Sequence, residues 1–190
     1  IMYFINDWYS DLYILTNILD YLEFYSGTER KNMVKTPKGN GSMLYGYTWK
    51  SYLSPTRNRT QSKYEKLYHT KIKDQEPELE IILKEFSDLY FPNFNYTQIQ
   101  LNKNFPAPPH IDSKNVGESI LVVCGSNLEG GTTGIDFGNE IINIDASEEP
   151  LRFNGSKYTH WVNDWTGTRY SLVFFNNLKN PKLINNHSCN

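Results

Sequence analysis

The sequence predicts an α+β protein, a jelly roll or antiparallel sandwich with helices bracing one of its sheets. Three observations carry this. Both segments with helical apolar spacing lie before residue 95. After residue 95 the apolar period changes to two, in short runs parted by turn signals. Finally, 14 Tyr, 10 Phe and 4 Trp in 190 residues supply a core rich in strand-forming aromatics, although hydrophobic residues make up only 38%. The length suits one domain with a sizeable core. It divides into a helical and basic part (1–94), a β core (95–176) and a tail (177–190).

The elements follow in order. Residues 11–24 read as a helix with Leu12, Leu15, Leu19 and Leu22 on one face, stopped by Gly27. Residues 28–75 are polar, basic and aromatic. Strands are expected around 43–49 and a short helix near 61–68. Pro77 opens a second long helix, with Leu79, Ile82, Leu83, Phe86 and Leu89 at helical spacing, and Phe91-Pro92-Asn93 ends it. Thr97, Ile99 and Leu101 then alternate with Gln98, Gln100 and Asn102. Further strands are expected at 119–124, 133–137, 140–144, 151–154, 159–162 and 169–175. Gly130-Gly131, Gly138-Asn139 and Asn154-Gly155 separate several of them.

Net charge is −2 but uneven. Residues 29–73 carry 11 of the 19 Lys/Arg and two acids, a local charge of +9, against −11 elsewhere. This segment is either a solvated loop region or a surface for a polyanion such as nucleic acid. No apolar run approaches a membrane helix. The first residues, IMYFINDWYS, lack a basic n-region and a cleavage site, so no signal peptide is expected. Two cysteines, Cys124 in an apolar run and Cys189 in the tail, imply no disulfide framework. An intracellular setting, cytoplasm or nucleus, is expected.

The chemistry concentrates in four places. PPHIDSKNVG holds His110-x-Asp112, a weak signal by itself. His160 lies 48 residues beyond, on another expected strand. Two imidazoles and a carboxylate make the facial triad of a non-haem Fe(II) site, with positions left open for a cosubstrate and O2. In GTRYSLVFF, Arg169, Ser171, Val173 and Phe175 share one strand face, and Tyr170, Leu172 and Phe174 the other. A guanidinium on a buried strand needs an anion. A dicarboxylate satisfies both halves, one end chelating metal and the other meeting Arg169 and Ser171. Taken singly, His160 also reads as a core histidine and Arg169 as the partner of an internal acid such as Asp136. His69 and His187 look idle.

The order His-x-Asp, distant His, then Arg-x-Ser on the last strand resembles the 2-oxoglutarate/Fe(II) dioxygenase superfamily, over roughly residues 95–176. The fold it implies is a double-stranded β-helix, a distorted jelly roll. LNKNFPAPPHIDSKNVGESILVV, Gly130-Gly131 and THWVNDWTGTRYSLVFF look like the TET/J-binding-protein branch, whose members oxidise the 5-methyl group of pyrimidines in nucleic acid. By this resemblance His110, Asp112 and His160 hold iron. Arg169 and Ser171 hold the distal carboxylate of 2-oxoglutarate. Asn102 contacts that cosubstrate or orients a ligand. O2 is consumed, and ascorbate serves as a reductant. The chain departs from larger members in lacking a cysteine-rich or separate DNA-reading domain, and in following Gly-Gly with Thr132-Thr133-Gly134.

A DNA substrate carrying 5-methylcytosine or thymine is expected. Arg57, Arg59, Lys63 and Lys66 would touch phosphates, interleaved with Tyr45, Tyr47, Trp49 and Tyr52. RNA remains open, as do a prolyl or lysyl hydroxylase acting on protein and a small-molecule hydroxylase.

Overall fold

The computed structural model describes residues 2–24, 36–37, 39–52 and 64–177, and only the backbone of 48–52, 64–69 and 71. Helix α1 (Trp8–Asp20) starts three residues earlier than the leucine spacing predicts. Asp7 supplies the reason: its carboxylate accepts the Ser10 N–H at 3.0 Å and caps the first turn. Leu12, Leu15 and Leu19 are buried and Leu22 packs at the margin, as their spacing requires. The expected stop, Gly27, lies outside the described residues.

Helix α2 (Lys71–Gln75) is a single short turn that the sequence did not announce. Helix α3 (Pro77–Tyr90) has proline in its first turn. It buries Leu79, Ile82, Leu83 and Phe86. Leu89 is a correction, since it is 37% exposed. Tyr90 takes the inward place instead, its ring 4.8 Å from both Trp8 and Phe86. The Tyr90 hydroxyl donates to Asp11, whose carboxylate also accepts the N–H groups of Ile5 and Asn6. That completes the bonding of a fully buried acid.

The described residues form nine strands: β1 (Gly41–Tyr52), β2 (Tyr64–His69), β3 (Gln98–Lys103), β4 (Ser119–Gly130), β5 (Thr133–Asp136), β6 (Ile141–Ile144), β7 (Leu151–Phe153), β8 (Thr159–Val162) and β9 (Trp165–Phe175). Of the helix expected near 61–68, residues 61–63 lie outside the described residues and the rest is corrected to strand β2, which pairs antiparallel with Tyr47–Tyr52 of β1. A free edge on β1 decides this, because pairing of distant segments overrides a weak local preference.

The strands form two sheets, β2-β1-β3-β9-β4-β7 and β6-β5-β8, antiparallel throughout. The larger sheet has two working faces. Met43, Tyr45, Ile99, Leu101, Val122, Tyr170, Leu172 and Phe174 meet the helices in one core. Leu121, Val123 and Val173 point the other way and join Ile135 and Phe153 in a second core between the sheets. Burial pushes the Cys124 thiol, on the helix side, up to about 12. Among the described residues no helix is long and apolar enough to cross a membrane.

Phe86 has no exposed surface and its ring meets Phe4, Trp8, Tyr90 and Phe91. Phe86→Ala is expected to cost about 3–5 kcal/mol in urea denaturation, the range for removing a buried aromatic ring.

Candidate metal and anion site

Residues 107–110 run beside β8. Val162 donates to the Ala107 carbonyl, and His110 and His160 exchange backbone hydrogen bonds, each 3.0 Å long. Pro108 and Pro109 have no N–H to donate, so the ladder cannot continue as a regular strand. The Pro108 carbonyl is instead left to meet His110 Nδ1 at 2.7 Å. His160 Nδ1 meets the Tyr158 carbonyl at 2.9 Å in the same way. A carbonyl only accepts, so both Nδ1 atoms carry the proton and both Nε2 lone pairs are free for a metal.

Asp112 follows the bridge and is held by its N–H to the Gly155 carbonyl at 2.9 Å. Its two oxygens lie 3.6 Å from His110 Nε2 and 3.5 Å from His160 Nε2. One ligand atom from each of the three residues falls within 4.8 Å of the others. Gly155 permits this closeness. A Cβ there would stand 3.1 Å from Asp112 Oδ2 and 3.3 Å from His160 Cε1. Two imidazoles and one carboxylate, oriented through their far nitrogens, fit a divalent ion of the Fe(II) kind.

Arg169, 2% exposed, enters from β9. Asn104 clamps its backbone on both sides, accepting the Arg169 N–H and donating to its carbonyl, each at 2.8 Å. Arg169 Nε donates to the Gly131 carbonyl at 3.0 Å, while Nη2 is buried with no partner. The Asp136 pairing left open by the sequence is not made; that carboxylate accepts the Gly138 N–H. Burial is the chief cause that brings the guanidinium down to about 10, against the attraction of Asp145. Gly131 has φ +74°, and a Cβ there would lie 2.9 Å from Arg169 Cδ and Nε. A buried guanidinium with one unbonded nitrogen and no ion-pair partner among the described residues, in the wall of a cavity, fits an anionic ligand.

Ser42, Asn102 and Ser171 form one row across β1, β3 and β9. Gln100 Nε2 donates to Ser42 Oγ at 2.6 Å, and Ser42 donates to Asn102 Oδ1 at 2.5 Å. Asn102 Nδ2 donates to Ser171 Oγ at 3.0 Å. Ser171 therefore accepts from behind and keeps its own proton to donate. The triad, Arg169, Ser171 and Asn102 line one cavity of about 310 Å³.

Of the expected phosphate contacts, Arg57, Arg59 and Lys63 lie outside the described residues, and only the backbone of Lys66 is described. Tyr45 is 1% exposed and belongs to the core. Asn104, Ser42, Gly155 and Thr133 were not singled out by the sequence reading. Gly155 entered that reading only within the Asn154-Gly155 turn, and Thr133 only within Thr132-Thr133-Gly134.

His160 offers a pH test. Burial lowers its pKa, but the Asp112 contact and the Tyr158 carbonyl outweigh it, and the net shift is upward from 6.5. In the metal-free protein this contributes stability that is full below the unfolded value and is lost as pH rises through the folded one. A proton on Nε2 also competes with metal. Mn(II) affinity in calorimetry is expected to fall as pH is lowered, starting above pH 6.5.

No protein-family model matches the chain, and no curated protein matches it. Solved structures do. NgTET1 in complex with 5mC DNA aligns with a TM-score of 0.52 at 16% identity, covering 87% of this chain and 67% of that one. A Pseudomonas putida prolyl-4-hydroxylase aligns with a TM-score of 0.46 at 13% identity, covering 92% and 88%. An oxidoreductase of the 2OG-Fe(II) oxygenase family from Burkholderia pseudomallei gives 0.41 at 15%, covering 67% and 72%. The paired antiparallel sheets and the likeness to NgTET1 show a double-stranded β-helix fold.

Proposed function

We propose that this protein is a 2-oxoglutarate- and Fe(II)-dependent dioxygenase that oxidises the 5-methyl group of a pyrimidine base in DNA. One observation carries the enzymatic part. A His-Asp-His cluster with fixed tautomers shares a cavity with a buried arginine that has no anionic partner. His110, Asp112 and His160 hold the metal. Arg169 and Ser171 hold the far carboxylate of the cosubstrate, and Asn102 orients Ser171. Fe(II) and 2-oxoglutarate, when bound, supply O2-driven hydroxylation coupled to decarboxylation to succinate and CO2. The chain itself positions, shields and neutralises; no further acid or base is needed.

The substrate part rests on three supports. The solved structure of NgTET1 holds 5mC DNA. The segment 29–73 carries +9. Outside the triad and Arg169, the cavity wall is neutral, with Gln100 and Asn115 as amides and Phe105 as an aromatic surface. Such a wall suits an uncharged heterocycle drawn out of its stack, and outside the triad it offers no carboxylate to a lysyl ammonium.

Incubation with Fe(II), 2-oxoglutarate and DNAs carrying thymine, cytosine or 5-methylcytosine is expected to yield a new nucleoside by mass spectrometry. Asp112→Ala is expected to yield none and to lose metal binding while keeping its fold. Succinate formed without any altered nucleoside would retain the oxygenase and remove DNA as the substrate. Affinity for DNA is expected to fall steeply between 50 and 200 mM salt, roughly 10³-fold if about six phosphates are contacted. A flat titration would remove the basic segment from the argument.

A further inference from the structure

β6 is the outer strand of the smaller sheet, whose order is β6-β5-β8. It pairs with β5 on one side, and among the described residues no other backbone hydrogen bond reaches residues 141–144. An edge strand has half of its N–H and C=O groups turned outward, so this edge is a template for a further strand. Lysine and proline, the residues that most often blunt such an edge, are absent from residues 140–145. Ile144 packs inward against the second core, while Ile141 is 61% exposed. The strand is also held firm. The Phe137 N–H donates to the Glu140 carbonyl at 2.9 Å and closes the turn from β5, and Asn143 Oδ1 accepts from Asn163 Nδ2 at 2.8 Å. A partner strand therefore meets an edge already ordered, which lowers the cost of binding.

Charge decides the partner. Residues 115–151 contain seven Asp/Glu and no Lys or Arg. Glu140 and Asp145 bracket β6 and are exposed, and neither forms an ion pair among the described residues. A second copy is a poor occupant. Antiparallel pairing of two β6 strands about their midpoint sets Glu140 of one copy against Asp145 of the other at both ends, and like charges facing across strands are destabilising. A nucleic-acid backbone is repelled by the same two acids. A strand with cations near its ends meets both of them. We propose that the edge of β6 docks a basic, extended segment of another protein, which joins the smaller sheet as its next strand. The backbone supplies the pairing, Ile141 and Ile142 an apolar contact, and the two acids the preference for lysine or arginine. None of these four residues lines the cavity, so the site stands apart from the proposed function.

The test is a low-salt anisotropy titration with a fluorescent peptide, Arg-Lys-Val-Thr-Val-Thr-Lys-Arg, whose two lysines have the spacing of Glu140 and Asp145. Saturable binding to the wild type is expected. The same peptide with every amide nitrogen methylated keeps its charge but cannot donate to a strand, and it is expected to bind at least about tenfold more weakly. Ile141→Lys, which sets a cation on the edge, is expected to weaken the unmodified peptide by about tenfold as well. Glu140→Gln with Asp145→Asn is expected to weaken it about fivefold, the scale of exposed charge pairs. Equal binding of the methylated peptide overturns strand addition, because charge alone would then account for the attraction. Binding that Ile141→Lys leaves unchanged places the peptide elsewhere and overturns the site. A wild type that binds no peptide overturns the proposal outright. None of these results bears on the proposed function.

Discussion

Two backbone hydrogen bonds carry the site. His110 and His160 exchange them across 50 residues of chain, and every feature of the metal end depends on that bridge. It sets the two rings 4.2 Å apart between centroids. It brings the Asp112 N–H to the Gly155 carbonyl and the Pro108 carbonyl under His110 Nδ1. A side chain on a free loop would lose several rotamers on binding an ion. Here the backbone has already met that cost during folding.

The other end of the cavity depends on the two-sidedness of the larger sheet. Tyr170, Leu172 and Phe174 anchor β9 against the helices, and β9 cannot slip by one residue without turning all three into the cavity. Their burial therefore fixes Arg169, Ser171 and Val173 on the opposite face. The helices touch no part of the candidate chemistry, yet they set its register. The half-buried bond from the Tyr170 hydroxyl to Asp20 ties the strand to the end of α1 at 2.5 Å.

How much of this the sequence disclosed follows from the range of the interactions. Alternation on β9 and the i, i+2 spacing of His110 and Asp112 are local, and both were legible. The fate of 64–68 was not, because a strand at a sheet edge is decided by the partner it finds in β1. Leu89 misled because Tyr90, one residue on, reaches both an inward ring stack and the Asp11 carboxylate. Asn102 was placed on the right face, but its contact with Ser42 needs β1 beside β3, a pairing between segments some 60 residues apart.

The anion end shows why this fold and its ligand belong to one energetic account. A guanidinium at 2% exposure with an unbonded Nη2 is a standing cost; Asp145 attracts it, but no carboxylate among the described residues forms an ion pair with it. An internal acid would have made the protein more stable and the cavity useless, since a bound anion would then compete with a tethered one. Leaving Arg169 unpaired stores the cost where a ligand can remove it. Whatever anion enters is bound partly by relief of that burial, and its binding stabilises the folded chain in turn. The Gly131 carbonyl hinders the cation from escaping the cost by turning outward, for it holds Nε at 3.0 Å.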